Sequence, residues 1–183
     1  MKVLIVVDMQ NDFIDGALGT NEAKSIIPNV VKRIKDSEHD ELILFTKDTH
    51  GSDYLNTPEG KKLPVPHCIV GTSGFEINNE IFSAWQSKKD TKKLTDIKDN
   101  TFNKSVFGSV ELASYLKTIE KNIESIELIG VCTDICVVSN AIIIKNTLPN
   151  TKIVVRANCC AGVTPKTHES ALETMGMCQI DVI

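Results

Sequence analysis

Three side chains in this sequence carry a chemistry that could be shared: the carboxyl of Asp8, the amine of Lys104 and the thiol of Cys136. Cys136 closes a segment in which an apolar strand, residues 126–130, runs into a short turn, and a helix-like run follows at once. Unpaired backbone N–H groups and the helix dipole favour an anion at such a helix start. That field is expected to favour thiolate, the nucleophilic form of cysteine. The same amides can hold an oxyanion on a substrate. A cysteine nucleophile also needs a proton acceptor and gains from a nearby cation. Of the four histidines, His39 falls in a charged loop and His168 on the face of a late helix, while His50 and His67 serve better as ligands. The acceptor is therefore read as Asp8, which ends the run Val3-Leu4-Ile5-Val6-Val7, where desolvation raises a carboxyl pKa. Lys104, in Phe102-Asn103-Lys104-Ser105-Val106-Phe107, supplies the positive charge.

A second constellation follows the next apolar run. Asp48 and His50 stand two apart in a turn, and His67 lies in the polar stretch beyond, residues 51–67. Neutral imidazole and carboxylate are donors that Zn, Fe and Mn accept. The spacing alone is weak, because an Asp-x-His triplet is common by chance. Read singly, each of these residues is more often a turn, surface or core residue. Their order along one chain changes that balance.

The elements that must position them are strands alternating with helices. The continuous apolar run at 3–7 fits a strand buried on both faces, as in a parallel sheet, and residues 126–130 read as another strand. Residues 41–46, 152–156 and 179–183 read as further strands. Pro28 is read as the first residue of a helix with Val30, Val31 and Ile34 inward. A short helix is expected near 79–85, with a lysine-rich loop after it. Ser109 is expected to cap a helix through Lys121, a helix is expected over 136–147, and Thr164-Pro165 to start another. The class is α/β: a three-layer αβα fold with a mainly parallel central sheet of about six strands. Ligands bind beyond the carboxyl ends of such strands. Asp8, Asp48, His50 and Cys136 all fall there.

The length of 183 residues suits one domain, 1–183, with a core that needs no staples. A net charge of -4 gives no basic footprint for nucleic acid. No run approaches the ~18 apolar residues of a membrane span, and the first apolar run is too short for a signal peptide. No membrane partner and a cytoplasmic location are expected. Cys68, Cys132, Cys136, Cys159, Cys160 and Cys178 form no zinc-finger spacing and are expected to be thiols, several of them small buried hydrophobes. The sequence leaves open assembly as a homo-oligomer.

With these residues in view, the chain resembles the isochorismatase-like cysteine hydrolases, and within them the nicotinamidases. Val7-Asp8-Met9-Gln10-Asn11-Asp12-Phe13 is similar to the family's first motif, Asn103-Lys104-Ser105-Val106-Phe107 to its lysine motif, and Gly130-Val131-Cys132-Thr133-Asp134-Ile135-Cys136-Val137 to its nucleophile motif. The resemblance implies a catalytic set of Asp8, Lys104 and Cys136, a cis peptide at Val131-Cys132, and an oxyanion hole from the backbone amides of Cys132 and Cys136. Thr46-Lys47-Asp48-Thr49-His50 and Pro66-His67-Cys68-Ile69-Val70-Gly71-Thr72-Ser73-Gly74 look like the family's metal segments. They imply one divalent ion, Zn or Fe, on Asp48, His50 and His67, with Glu59 where some members add a ligand. Phe13 and Leu18 match positions that pack the substrate ring. Leu63-Pro64-Val65-Pro66 lacks the aromatic residue that commonly precedes the last metal histidine, and Tyr54 or Trp85 is expected to replace it.

The implied activity is deamidation of nicotinamide through a thioester, serving NAD salvage. Two rivals remain. One is an amidohydrolase of the same superfamily acting on another small amide or carbamoyl compound. The other is a redox protein that pairs Cys132 with Cys136.

Overall fold

The computed structural model describes residues 1–92 and 97–183, with side chains for all of these except 89–92. In chain order the elements are β1 (Lys2–Val7), α1 (Asn11–Ile14), α2 (Asn21–Lys35), β2 (Leu42–Asp48), α3 (Pro58–Lys62), α4 (Asn79–Lys92), β3 (Thr101–Lys104), α5 (Val110–Ile119), β4 (Ser125–Val131), α6 (Val138–Thr147), β5 (Lys152–Ala161), α7 (Pro165–Met177) and β6 (Asp181–Val182). The strands pair in parallel in the order β3-β2-β1-β4-β5-β6.

Strand β1 sits at the centre, with Val3 opposite Leu42 on one side and Ile126 on the other. Its five residues Val3 to Val7 are all 0% exposed, which is why an unbroken apolar run is stable there. Leu4, Val6, Ile43 and Phe45 pack on one face under Ile26, Val30 and Ile34 of α2 and Ile81 and Trp85 of α4. Val3, Ile5, Val7 and Leu44 pack on the other under Leu112 and Leu116 of α5, Ile144 of α6 and Met175 of α7. The three-layer α/β architecture expected from the sequence is thus the one observed. Successive strands move outward from β1 in one direction, through β2 to β3, and from β4 in the other. The crevice between β1 and β4 lies at that reversal, where ligands bind in open sheets of this kind.

Several boundaries differ from expectation. Helix α2 starts at Asn21, not Pro28, with the Thr20 side chain capping Ala23 N–H at 3.0 Å. Pro28 lies inside the helix on its exposed side. It removes the N–H that would meet the Lys24 carbonyl, and Lys24 is exposed too, so water can satisfy that oxygen. Strand β3 carries no apolar run and was not foreseen. The helix expected over 136–147 begins at Val138, after a π-helical turn, Thr133–Val137. Helix α4 continues to Lys92 where a loop was expected, and residues 93–96 of that loop lie outside the described residues. The polar stretch 51–67 holds a 3-10 turn, Tyr54–Asn56, and α3. The Ser109 and Thr164 caps are present. Among the described residues no helix is long and apolar enough to cross a membrane.

Candidate active site

Asp8 follows β1, Lys104 ends β3 and Cys136 follows β4, so three separate strands deliver them to one end of the sheet. All three are buried, Asp8 completely. Lys104 Nζ lies 2.6 Å from Asp8 Oδ2 and donates to Cys136 Sγ at 3.6 Å. Thr46 Oγ1 donates to Asp8 Oδ1 at 2.6 Å. Oδ2 receives no well-directed hydrogen bond despite its contact with the amine, so a lone pair remains for another donor. Asp8 has φ 47, an uncommon conformation for a residue with a side chain and one that clusters at functional sites.

Burial raises the Asp8 carboxyl above the ordinary range, and Lys104 offsets this only in part. Burial also opposes the Lys104 ammonium, but Asp8, Cys136 and Asp48 outweigh it and hold its pKa above the usual lysine value. The Cys136 thiol is pushed well up, first by burial and then by the Asp8 charge. The helix-start field expected to favour thiolate is thus outweighed at this position. The sulfur sits inside the π-turn, buried next to a carboxylate, and desolvation overrides the amide field. The arrangement is a thiol that must give up its proton during attack, beside a carboxyl whose raised pKa suits it to accept one.

The turn around Cys136 is held from several sides. The Val131–Cys132 peptide is cis. Ile135 N–H and Val137 N–H donate to Cys132 O at 3.1 and 3.0 Å. Asn140 Nδ2 donates to Cys136 O at 2.8 Å, and its Oδ1 accepts from Ser109 N–H at 2.9 Å, tying the turn to the segment after Lys104. Gly130, with φ 119, brings β4 against β1: a Cβ there would lie 2.1 Å from Val7 O. Cys132 is partly buried, and burial pushes its thiol up to about 12. Both Cys132 and Cys136 are free thiols.

Asp48, His50 and His67 form a group whose donor atoms all lie within 4.8 Å of one another. Asp48 Oδ2 stands 2.9 Å from His50 Nε2 and 3.3 Å from His67 Nε2. Donors bound to one ion at ~2.0–2.2 Å are separated by roughly 3 Å when adjacent, so this spacing fits a shared divalent ion. His67 Nδ1 is engaged by Val65 O at 2.8 Å, which leaves Nε2 as the free lone pair. Against the burial effect, the facing His50 and His67 rings and the Lys104 charge hold the Asp48 carboxyl well below the usual range. Glu59 Oε1 lies 3.9 and 3.8 Å from the two Nε2 atoms, at the rim rather than within the group. Gln10, which sequence reasoning missed, brackets Asp48 by accepting from its N–H at 2.7 Å and donating to its O at 2.9 Å.

Phe13 packs its ring 5.6 Å from His67, and Leu18 is a partly buried neighbour on the same apolar cluster. Tyr54 stacks edgewise on His50 at 4.7 Å and His67 at 4.9 Å, donating its hydroxyl to Leu63 O. Trp85 does not reach the site: it fills the core against Phe45 and Phe82. Its place on the inward face of α4 was not legible from spacing. A cavity of about 640 Å³ opens around the strand starts, lined by Lys2, Lys152 and the Arg33–Glu127–Arg156 ion pairs. It lies at the other end of the sheet from Cys136.

The chain matches the isochorismatase domain over residues 2–183. Its fold superposes on the crystal structure of a nicotinamidase/pyrazinamidase from Bacillus subtilis with a TM-score of 0.80, at 29% identity over 99% of this chain and 98% of that one. A Pyrococcus horikoshii pyrazinamidase in complex with zinc gives a TM-score of 0.74 at 26% identity, covering 100% and 98%. The nicotinamidase/pyrazinamidase of Mycobacterium tuberculosis is 24% identical over 100% of this chain and 98% of its own.

Proposed function

The chain belongs to the isochorismatase family of hydrolases, and on that premise we propose that it is a nicotinamidase, a metal-assisted cysteine hydrolase that converts nicotinamide to nicotinate and ammonia. The observation that carries this reading is the position of Lys104. Its amine lies 2.6 Å from Asp8 and 3.6 Å from Asp48, so it joins the nucleophile cluster to the ligand group at one end of the sheet. A small ring bearing a nitrogen donor and a carboxamide can engage both at once. The similarity to proteins named as nicotinamidases supports the same choice.

Asp48, His50 and His67 would hold Zn or Fe, with Glu59 beside them. Such an ion supplies a Lewis acid that a pyridine nitrogen can bind. Phe13, Leu18 and Tyr54 would flank the ring. In the first half-reaction Asp8 takes the Cys136 proton, and sulfur bonds to the amide carbon as the carbonyl π pair moves to oxygen. The amides of Cys132 and Cys136 hold that oxyanion. Its collapse breaks the C–N bond, and Asp8 returns the proton so that ammonia leaves. In the second, water adds to the thioester carbon while Asp8 accepts its proton, and the C–S bond breaks to release nicotinate and the thiol. Throughout, Lys104 stays cationic and steadies whichever of Asp8 and Cys136 is negative. A small amide as substrate, a cytoplasmic role in NAD salvage and a one-domain chain belong to this proposal.

Ammonia release from nicotinamide, pyrazinamide, ureidoacrylate and carbamoylsarcosine tests it. Nicotinamide should turn over with the highest kcat/KM. A preference for a carbamoyl compound would assign the chain to another amidohydrolase of the family.

A further inference from the structure

His168 looked, from its spacing, like one more residue on a late helix face. The structure places it against the nucleophile turn. Its Nδ1 lies 2.8 Å from Thr133 Oγ1. Thr133 is 0% exposed and stands between Cys132 and Cys136, the two residues whose amides the mechanism uses. Among the described residues the His168 side chain bonds Thr133 and not Cys136, so its effect passes through Thr133.

The same stretch grips the turn twice. Val163 N–H donates to both oxygens of Asp134, the residue after Thr133, at 3.2 Å each. Gly162 lets the chain press on the histidine, since a Cβ there would meet His168 Cβ at 2.9 Å. His168 N–H is fixed to Thr164 O at 3.0 Å in the first turn of α7. A capping box between Thr164 and Thr167 holds that turn in place. A continuous path therefore runs from the cap of α7, through the imidazole, to the hydroxyl of a buried threonine in the turn. Asn140 fixes the turn on its far side by the bond to Cys136 O.

We propose that His168 is a positioning residue for catalysis: through Thr133 Oγ1 it sets the direction of the Cys132 and Cys136 amides that receive the oxyanion. This rests on the nicotinamidase reading of the site. An oxyanion forms only as sulfur bonds to carbon, so misdirected donors lower kcat and leave ground-state binding at the ring and ligand group nearly unchanged. A histidine that merely packed α7 on the turn would act on stability, without that split.

The test is steady-state ammonia release by the intact, metal-loaded protein and its variants, with thermal midpoint and metal content measured on the same samples. His168→Leu should lower kcat on the order of ten-fold or more, against the ~100–1,000-fold cost of deleting an oxyanion donor outright. KM should stay within about three-fold. His168→Asn, which keeps a polar atom near the Nδ1 position, should recover most of the loss. Thr133→Val should match His168→Leu, Thr133→Ser should stay close to wild type, and the double variant should be no worse than either single. Should His168→Leu fold poorly, Thr133→Val alone decides the matter. The inference is overturned if kcat in either variant stays within about two-fold of wild type, if the two losses add, or if His168→Asn is as impaired as His168→Leu. If the wild type releases no ammonia from any amide tested, the nicotinamidase reading itself fails, and this inference with it.

Discussion

Replacing Lys104 by methionine removes the cation while keeping most of the side-chain volume. The amine is 2% exposed and the facing Asp8 carboxyl 0%, so the pair is broken inside the protein rather than at its surface. Breaking a buried pair from one side costs about 3–5 kcal/mol. Asp8 has a partial escape. Burial and Asp48 already push its carboxyl up, and Lys104 is the main influence opposing them. Without the lysine the carboxyl takes up a proton, so the cost should sit near the lower end of that range, about 3 kcal/mol. The unfolded chain releases this proton at an ordinary carboxylate pKa, whereas the folded variant retains it to higher pH. Stability of the variant should therefore fall with rising pH between those two values, more steeply than in wild type. A protonated Asp8 cannot accept the thiol proton, and ammonia release should drop by roughly 100–10,000-fold. Urea unfolding with chelator present, at pH 6 and pH 8, reads the stability, the chelator removing any contribution from metal binding. Adding Asp8→Asn should restore at least half of the lost stability and none of the activity. A loss below about 0.5 kcal/mol at both pH values, with turnover intact, would refute the reasoning.

His50→Ala combined with His67→Ala should abolish stoichiometric metal by elemental analysis while the protein stays folded, and retained metal would count against the ligand group. Glu127, whose pKa is lowered against its burial by hydrogen bonds from Arg33 and Arg156, stabilises the fold above the ordinary glutamate pKa and loses that contribution as pH falls through its lowered value. Glu127→Gln should flatten the acid limb of the stability curve, and an unchanged limb would contradict this. Gly130→Ala should prevent soluble expression or shift the thermal midpoint down by many degrees, because its Cβ would meet Val7 O at 2.1 Å in a backbone with φ 119.

The sheet was legible where burial dictates sequence. Val3 to Val7 are covered by helices on both sides, so only apolar residues fit there, and residues 126–130 are apolar but for Glu127, which Arg33 and Arg156 neutralise. Strand β3 was invisible because its four residues, Thr-Phe-Asn-Lys, lie at the sheet edge and are only partly covered before Lys104. Yet that edge strand is what carries the lysine to Asp8. The start of α2 was missed because Pro28 usually opens a helix, and here an exposed carbonyl tolerates it in the interior. For the site, motif order identified Asp8, Lys104 and Cys136, and the structure brings them together. The upward push on the Cys136 thiol was not legible, because a sequence shows the helix that follows a thiol but not how deeply the thiol is buried. The contacts of Gln10, Thr46, Asn140 and His168 were not legible for a related reason: they are hydrogen bonds across the fold, and no local pattern announces them.

The most direct test of the account is the covalent state of Cys136 during turnover. Rapid acid quench with nicotinamide, followed by mass spectrometry of the digested protein, should find a nicotinoyl group on the peptide carrying Cys136, lost on longer incubation and absent from Cys136→Ala. Undiminished ammonia release by Cys136→Ala, or the acyl group on Cys132 instead, would contradict it.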